Sequence, residues 1–123
     1  MAHEQFGACI EACYACADEC DHCAMACLQE QDPKHLARCI ALDIDCAQIC
    51  RLAAAYMARG SEHMDATCGL CADVCDRCAE ECARHTAMEH CRRCAEACRR
   101  CAEECRRMVG RPRRAATQAH VSH

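Results

Sequence analysis

The sequence is poor in the residues that build an ordinary protein interior. Of its 123 residues, thirteen are Leu, Ile, Val or Phe, and none is Trp. The aromatic residues are Phe6, Tyr14 and Tyr56. A chain with so few large apolar side chains is usually disordered. An oily core of the common kind is therefore excluded as the main source of stability, and something else must fill the interior.

The sequence also lacks long apolar runs and a strong positive charge. No stretch of about 18 apolar residues occurs, which excludes a transmembrane helix. Residues 1–5 carry neither the basic nor the apolar segment of a secretory signal. The sequence therefore predicts a cytoplasmic protein, in which thiols stay reduced. A net charge of −4 argues against a nucleic-acid partner, and no membrane partner is expected.

Cysteine is what the chain has in abundance, with nineteen copies. An odd number excludes a closed set of internal disulfides. Three ungapped segments share the pattern C-A-x-x-C-x-x-C-A-x-x-C, and they begin at Cys16, Cys71 and Cys94. A fourth, degenerate copy begins at Cys46, with Ala53 and Met57 in place of its third and fourth cysteines. The chain is therefore built from an internal repeat.

The spacing of the cysteines alternates between three and four residues. This average of about 3.5 is the period of a helix that packs one face in a bundle. Helix-ending and helix-starting signals occur at Asp32–Pro33, at Gly60–Ser61, in the capping box from Thr86 to Glu89, and at Gly110. They predict helices at about residues 3–30, 33–59, 62–85 and 87–108.

Short connections between these helices favour antiparallel neighbours. We therefore expect an all-α protein, an antiparallel up-down-up-down four-helix bundle over residues 1–108 with a cysteine-lined core. Residues 109–123 are rich in Arg and contain no acidic residue, which predicts a basic flexible tail.

The thiols of one row are placed for metal binding rather than for disulfides. Side chains at i, i+3 and i, i+4 have Cβ atoms about 5–6 Å apart, whereas a disulfide needs about 3.8 Å. That separation suits two sulfurs that flank one ion. Cysteine can also serve as a small buried apolar residue, but Ala is abundant on the same helices and would fill that role.

Copper(I) fits such a row best. It is soft, prefers thiolate and thioether ligands, and accepts low coordination numbers. One Cu(I) per bridging thiolate is neutral overall, whereas Zn(II) at that load would bury extra positive charge. We expect storage of roughly one Cu(I) per Cys. The alternative is a metallothionein-like sink for Zn, Cd or Ag. No catalytic constellation is present, so we do not expect an enzyme.

Four cysteine-seamed helices with C-A-x-x-C-x-x-C repeats resemble the four-helix-bundle copper storage proteins of the cytosolic type. The resemblance covers residues 6–108. It implies many Cu(I) ions in the bundle, a homo-oligomer that is typically a tetramer, and a storage or buffering role rather than catalysis. Copper-delivery or acceptor proteins are further candidate partners. The ligands that the resemblance implies are Cys9, Cys13, Cys16, Cys20, Cys23, Cys27, Cys39, Cys46, Cys50, Cys68, Cys71, Cys75, Cys78, Cys82, Cys91, Cys94, Cys98, Cys101 and Cys105.

Extending each row past its last cysteine predicts the two ends of the bundle. One end collects Phe6, Met57, Met64 and Met108, with His63 nearby. The other collects Glu30, His35, His85, Met88 and His90. Thioethers and imidazoles both bind Cu(I), so either end can admit copper. Because three histidines lie at one end, we expect copper to enter there. The methionines can instead be an apolar plug and the histidines surface residues. His22 falls on the solvent side.

Two features of the second helix and one group of acids complete the predictions. Asp43 occupies a row position between Cys39 and Cys46. It either binds the outermost copper or a histidine, or, as we expect, the helix turns Leu42 inward and leaves Asp43 at the edge. The surplus apolar residues of this helix can anchor a subunit interface.

The acids on the outer faces of the helices are expected to be solvated, and they are Asp18, Asp73, Glu80, Glu81, Glu103 and Glu104.

Overall fold

The computed structural model describes residues 5–110, which contain helices and no strand. The four α-helices are α1 (Gly7–Leu28), α2 (Ala37–Arg59), α3 (Met64–Cys82) and α4 (Glu89–Gly110). Two short 3₁₀ helices, Pro33–Leu36 and Ala83–His85, adjoin α2 and α3. In this part of the chain no helix is long and apolar enough to span a bilayer. Most of the predicted basic tail, residues 111–123, lies outside the described residues.

The helices form a ring. α1 contacts α2 and α4, and α3 contacts the same two helices. The order of sulfur contacts between α1 and α4, with Cys9 against Cys105 and Cys23 against Cys91, runs in opposite directions along the two helices. The predicted up-down-up-down bundle is confirmed, and its centre is enclosed by all four helices.

The helix boundaries show which end signals act as predicted. Gly60 adopts a left-handed conformation, φ 66°, at the end of α2, and its N–H donates to the Met57 carbonyl. Asp32–Pro33 starts a 3₁₀ turn, and α2 begins only at Ala37. Glu89 is the first residue of α4, because the preceding turn closes with a bond from Met88 N to the His85 carbonyl. The chain therefore enters α2 and α4 later than the sequence predicts.

Small residues and ion pairs hold the ring together. Small buried alanines let the helices approach closely, and they are Ala12, Ala17, Ala24, Ala47, Ala53, Ala54, Ala72, Ala79, Ala95 and Ala102. On the outside, Arg93 of α4 pairs with Glu19 of α1 at 3.3 Å, and Arg51 of α2 pairs with Asp21 of α1 at 2.8 Å. The walls of the bundle are thus joined by contacts that do not involve the thiols.

Candidate metal centre

All nineteen cysteine side chains lie in the interior as free thiols. The fractional exposure of Cys9 is 2%, and that of every other cysteine is 0%. The alternating spacing explains this arrangement, because it keeps each row on the one face of its helix that meets the other three. The rows contain six, three, five and five thiols on α1 to α4, so α2 is the sparse wall.

The sulfur atoms form a continuous network across the bundle. The Sγ atoms of Cys46 and Cys75 are 3.5 Å apart, and those of Cys16 and Cys98 are 3.6 Å apart. Along one helix, Cys46 and Cys50 are separated by 3.9 Å. A disulfide bond measures about 2.05 Å, so these are contacts between separate thiols. Each sulfur therefore has neighbours on its own helix and on facing helices.

Groups of four sulfurs overlap along the column. The ligand atoms of each group lie within 4.8 Å of one another, and two such groups are Cys16, Cys20, Cys46 and Cys98, and Cys20, Cys78, Cys94 and Cys98. They share Cys20 and Cys98. A shared thiolate can bridge two ions, and Cu(I) accepts the two or three soft ligands that each position offers. The arrangement suits a chain of ions rather than one isolated site.

Asp43 lies inside this column. Its side chain is 0% exposed, and its Oδ1 accepts hydrogen bonds from the Cys78 thiol at 3.1 Å and the Cys94 thiol at 3.2 Å. The expectation that Leu42 would turn inward is wrong, since Leu42 is only partly buried. The row of α2 keeps its register because the thiols supply hydrogen bonds to the carboxyl group. Burial, followed by the charge of Cys94, raises the pKa of Asp43 to about 9.

The thiols of the column differ in how firmly they hold their protons. Hydrogen bonds from neighbouring thiols, from Cys16 and Cys20 first, lower the pKa of Cys46 and of Cys94 respectively. Burial, with the charge of Cys39 next, raises the pKa of the Cys27 thiol to about 11. Contacts with neighbouring thiols, Cys16 first, together with burial raise the pKa of Cys98 as well. A soft monovalent cation that binds to Cys27 or Cys98 replaces a proton, so binding there leaves the local charge unchanged.

His90 is placed against the thiols at one end. Its side chain is 13% exposed, and its Nδ1 lies 3.5 Å from Cys23 Sγ, 3.6 Å from Cys91 Sγ and 3.9 Å from Cys27 Sγ. Its Nε2 lies 3.0 Å from Glu30 Oε2. The ring and the three thiols form a group of four that could hold one metal ion. His90 therefore lies at the end of the thiol column where the sequence predicts a histidine.

The other two histidines predicted for this end, His35 and His85, contact each other. His85 Nε2 lies 2.9 Å from Glu81 Oε2, and the His85 ring meets the His35 ring edge-on at 6.0 Å between centroids. His35 is 57% exposed and bonds through Nδ1 to the Asp32 carbonyl. Glu81 is 8% exposed and also pairs with Arg38. The expectation of a solvated Glu81 is wrong, because His85 and Arg38 cover its carboxylate.

The opposite end is closed by apolar side chains. Phe6, Met57, Met64 and Met108 are each no more than 4% exposed. Of the remaining histidines, His63 is 69% exposed and stands beside the Tyr56 ring, outside this plug. His22 faces solvent, as predicted. The two ends therefore differ in chemistry, with imidazoles and carboxylates at one and thioethers at the other.

A ring of helices around a column of free thiols, with an imidazole at one opening, defines a helical-bundle protein for soft metal ions. The family model described as copper storage protein matches residues 2–110. The chain belongs to the copper storage protein family, which confirms the resemblance drawn from its cysteine repeats.

Individual relatives share both sequence and fold. The uncharacterized cysteine-rich protein YhjQ of Bacillus subtilis is 49% identical over 89 residues, which are 72% of this chain and 82% of that protein. The Cu(I)-bound copper storage protein BsCsp3 has a TM-score of 0.81 at 46% identity, covering 89% of this chain and 100% of that one. A cytosolic copper storage protein from Streptomyces lividans with five coppers has a TM-score of 0.85 at 42% identity, covering 90% and 97%.

Proposed function

We propose that this protein stores and buffers Cu(I) in the cytoplasm, on the thiolates that line its bundle. The observation that carries the proposal is the continuous column of buried free thiols, with cross-helix sulfur separations as short as 3.5 Å. A load of about one Cu(I) per Cys follows from bridging thiolates. The role is that of a reservoir, and no turnover of a substrate is expected. The Streptomyces lividans relative, a cytosolic protein that carries five coppers, supports both the cargo and the compartment.

The choice of copper over other soft metals rests on charge and coordination. A bridging thiolate and a Cu(I) ion cancel, so a filled column remains neutral in a core that excludes water. Zn(II) or Cd(II) at the same load would leave about one extra positive charge per site, which burial penalises strongly. Silver(I) shares the charge and softness of Cu(I), so it is the metal that competes best in vitro.

The two ends of the column have different proposed roles. The end with imidazoles admits copper, and its ligand residues are His35, His85 and His90. At the closed end the thioethers of Met57, Met64 and Met108 pack the empty bundle and bind the last ions of a full one. The carboxyl group of Asp43, which accepts hydrogen bonds from Cys78 and Cys94 within the column, is a further candidate ligand for the ions that these thiols bind.

The experiment that tests storage is an anaerobic Cu(I) titration of the reduced protein against a chelator of known affinity. We expect uptake to continue to about one ion per Cys. Saturation at four or fewer ions would contradict storage and indicate a discrete site. Parallel titrations with Zn(II), Cd(II) and Ag(I) test the metallothionein-like alternative. Tighter binding of more Zn(II) than Cu(I) would favour that alternative, and protein with alkylated thiols is the control.

We also propose that the chain assembles as a homotetramer and exchanges copper with delivery or acceptor proteins. Support for self-association comes from Ile44 and Leu52 on the outer side of α2, each 43% exposed. Light scattering coupled to size exclusion measures the mass directly. A monomer of 13.6 kDa at micromolar concentration would contradict assembly. Ile44→Glu should dissociate the tetramer if this surface is the interface, whereas exposed Glu11→Gln should not.

A further inference from the structure

The Glu30 carboxylate contacts the imidazole ring of His90 on the side opposite the thiols. Glu30 follows the end of α1 and is 38% exposed. Its Oε2 lies 3.0 Å from Nε2 of His90, a residue of α4. The other ring nitrogen, Nδ1, is the one that faces three sulfurs, the nearest being that of Cys23 at 3.5 Å. The imidazole is thus held between a carboxylate and thiols.

This placement determines which nitrogen carries the proton. A neutral imidazole has one N–H and one lone pair, and an ionised carboxylate can only accept a hydrogen bond. Nε2 of His90 therefore donates to Glu30, and the lone pair lies on Nδ1, on the side of the thiols. A carboxylate behind a ligating histidine fixes the tautomer and the orientation of its ring.

We propose that Glu30 is a positioning residue for copper uptake, acting through His90. By accepting the Nε2–H, it keeps Nδ1 free and aimed at the thiols. The site of His90 with Cys23, Cys27 and Cys91 is then preorganised for the first Cu(I) ions that arrive. The inference rests on the proposed function, since it concerns how the storage column is filled.

The second carboxylate–histidine pair of this end provides an internal contrast. His85 also meets a carboxylate, that of Glu81, but this group is shared with Arg38 at 3.4 Å and with Arg84 at 3.9 Å. Among the described residues, the ion pair of Glu30 is with His90 alone. Glu81 therefore links α3 to α2, whereas Glu30 serves one imidazole. The two acids should differ in their effect on the first copper ions.

The tautomer is measured on the copper-free, reduced protein by ¹⁵N NMR of the histidine rings at a fixed neutral pH. We expect His90 to show a protonated Nε2 and an unprotonated Nδ1, with His90→Ala used to assign the signals. Glu30→Ala should give a mixture of tautomers, because the acceptor is lost. A proton on Nδ1 in the unsubstituted protein would overturn the proposal.

Competition with a chelator at low copper loading measures the consequence. Glu30→Ala should weaken the binding of the first Cu(I) ions by about 10- to 100-fold, while the total load stays the same. Glu30→Gln should weaken it less, since the amide oxygen still accepts from Nε2–H. The control Glu11→Gln removes one negative charge from an exposed position of α1 and should leave the affinity unchanged. In a His90→Ala background, Glu30→Ala should have no further effect.

Two results would overturn the role of Glu30 while leaving storage intact. One is Glu30→Ala protein that binds its first ions as tightly as the unsubstituted protein. The other is a loss of affinity that persists in the His90→Ala background, since Glu30 would then act without the imidazole. Failure of storage itself has a separate signature, saturation of the unsubstituted protein at four or fewer ions.

Discussion

The Cys78 thiol donates a hydrogen bond to Asp43 Oδ1 at 3.1 Å, inside a column that otherwise consists of sulfur. The Cys94 thiol donates to the same oxygen at 3.2 Å. A carboxyl group buried from water is costly unless its oxygens are bonded, and here thiols do the bonding. Burial raises the pKa of Asp43 to about 9, so at neutral pH its carboxyl group is protonated and adds little charge to the column.

This relationship predicts how the stability of the copper-free protein depends on pH. The pKa of Asp43 is raised from 3.8 to about 9 in the folded protein. Its stabilising contribution is therefore complete below about pH 4 and declines as pH rises toward 9, by up to about 1.4 kcal/mol per pH unit. Asp43→Asn should flatten this part of the profile. Chemical unfolding of the reduced protein at pH 5 and pH 8 measures it.

The matched control is Asp45→Asn, which removes an exposed carboxylate from the same helix. Its unfolding free energy should follow that of the unsubstituted protein at both pH values. Profiles for Asp43→Asn that run parallel to the unsubstituted protein would show that Asp43 ionises equally in the folded and unfolded states.

The gaps in the α2 row predict that the copper load can be increased. Asp43 and Ala53 occupy row positions of α2, and both are 0% exposed. Asp43→Cys and Ala53→Cys should each add one thiol to the column and about one Cu(I) to the load, because each thiolate neutralises one ion. Native mass spectrometry of the saturated protein counts the ions. Ala41→Cys, on the exposed side of α2, should add none. An unchanged load for both core variants would show that capacity is not set by the number of thiols.

Copper uptake should release protons. The pKa of Cys27 is raised to about 11, and that of Cys98 is raised as well, so these thiols are protonated at pH 7. A Cu(I) ion that binds to thiols of this kind should therefore displace a proton, whereas thiols with a lowered pKa, such as Cys46 and Cys94, should contribute none. A pH indicator in weakly buffered anaerobic solution records the release during titration. Uptake without any release of protons would contradict the raised pKa of Cys27 and Cys98.

Substitutions of Met57 can distinguish hydrophobic packing from metal binding at the end of the bundle that is closed by apolar side chains. Its side chain is 0% exposed, so Met57→Ala should lower the free energy of unfolding by about 2–5 kcal/mol through the cavity it leaves. Met57→Leu conserves volume and should cost less than about 1.5 kcal/mol. If the thioether binds the last ions, as proposed, Met57→Leu should keep its stability but lose the most weakly held copper. Retention of the full load would identify Met57 as packing alone.

The buried position of Glu81 predicts that its carboxylate stabilises the fold, whereas that of the neighbouring Glu80 does not. Its carboxylate is 8% exposed and pairs with Arg38 of α2 and with His85. Glu81→Gln should lower the free energy of unfolding by about 1 kcal/mol, since charge-assisted bonds across two elements are weakened. Glu80→Gln removes a carboxylate that is 66% exposed and should change stability little. Equal effects of the two substitutions in thermal unfolding would argue against the link.

The sequence predicted the bundle because its signal is periodic. A thiol every 3.5 residues determines which face of each helix turns inward, and this holds over four helices. It does not determine whether a carboxyl group is acceptable on that face. Asp43 is buried because Cys78 and Cys94 reach it from two other helices, and those distances exist only in the folded protein.

The environment of Glu81 and the pairing of Glu30 with His90 depend in the same way on contacts between elements. Glu81 directly precedes Cys82, which belongs to the inward-facing row of cysteines. The exposure of the Glu81 side chain therefore depends on contacts with a neighbouring helix. His85 lies four residues further on, which is the only local signal for its partner. Glu30 and His90 are 60 residues apart, and the ring of helices brings them together.

The outer contacts of the ring, such as that between Arg93 and Glu19, have a consequence for the working life of the molecule. Together with the contacts made by the buried alanines, they join the four helices without using a thiol. We therefore expect copper to enter and leave the protein without unfolding it. In that case the fold is determined by contacts between the helices rather than by the bound metal, and the same molecule can be loaded repeatedly.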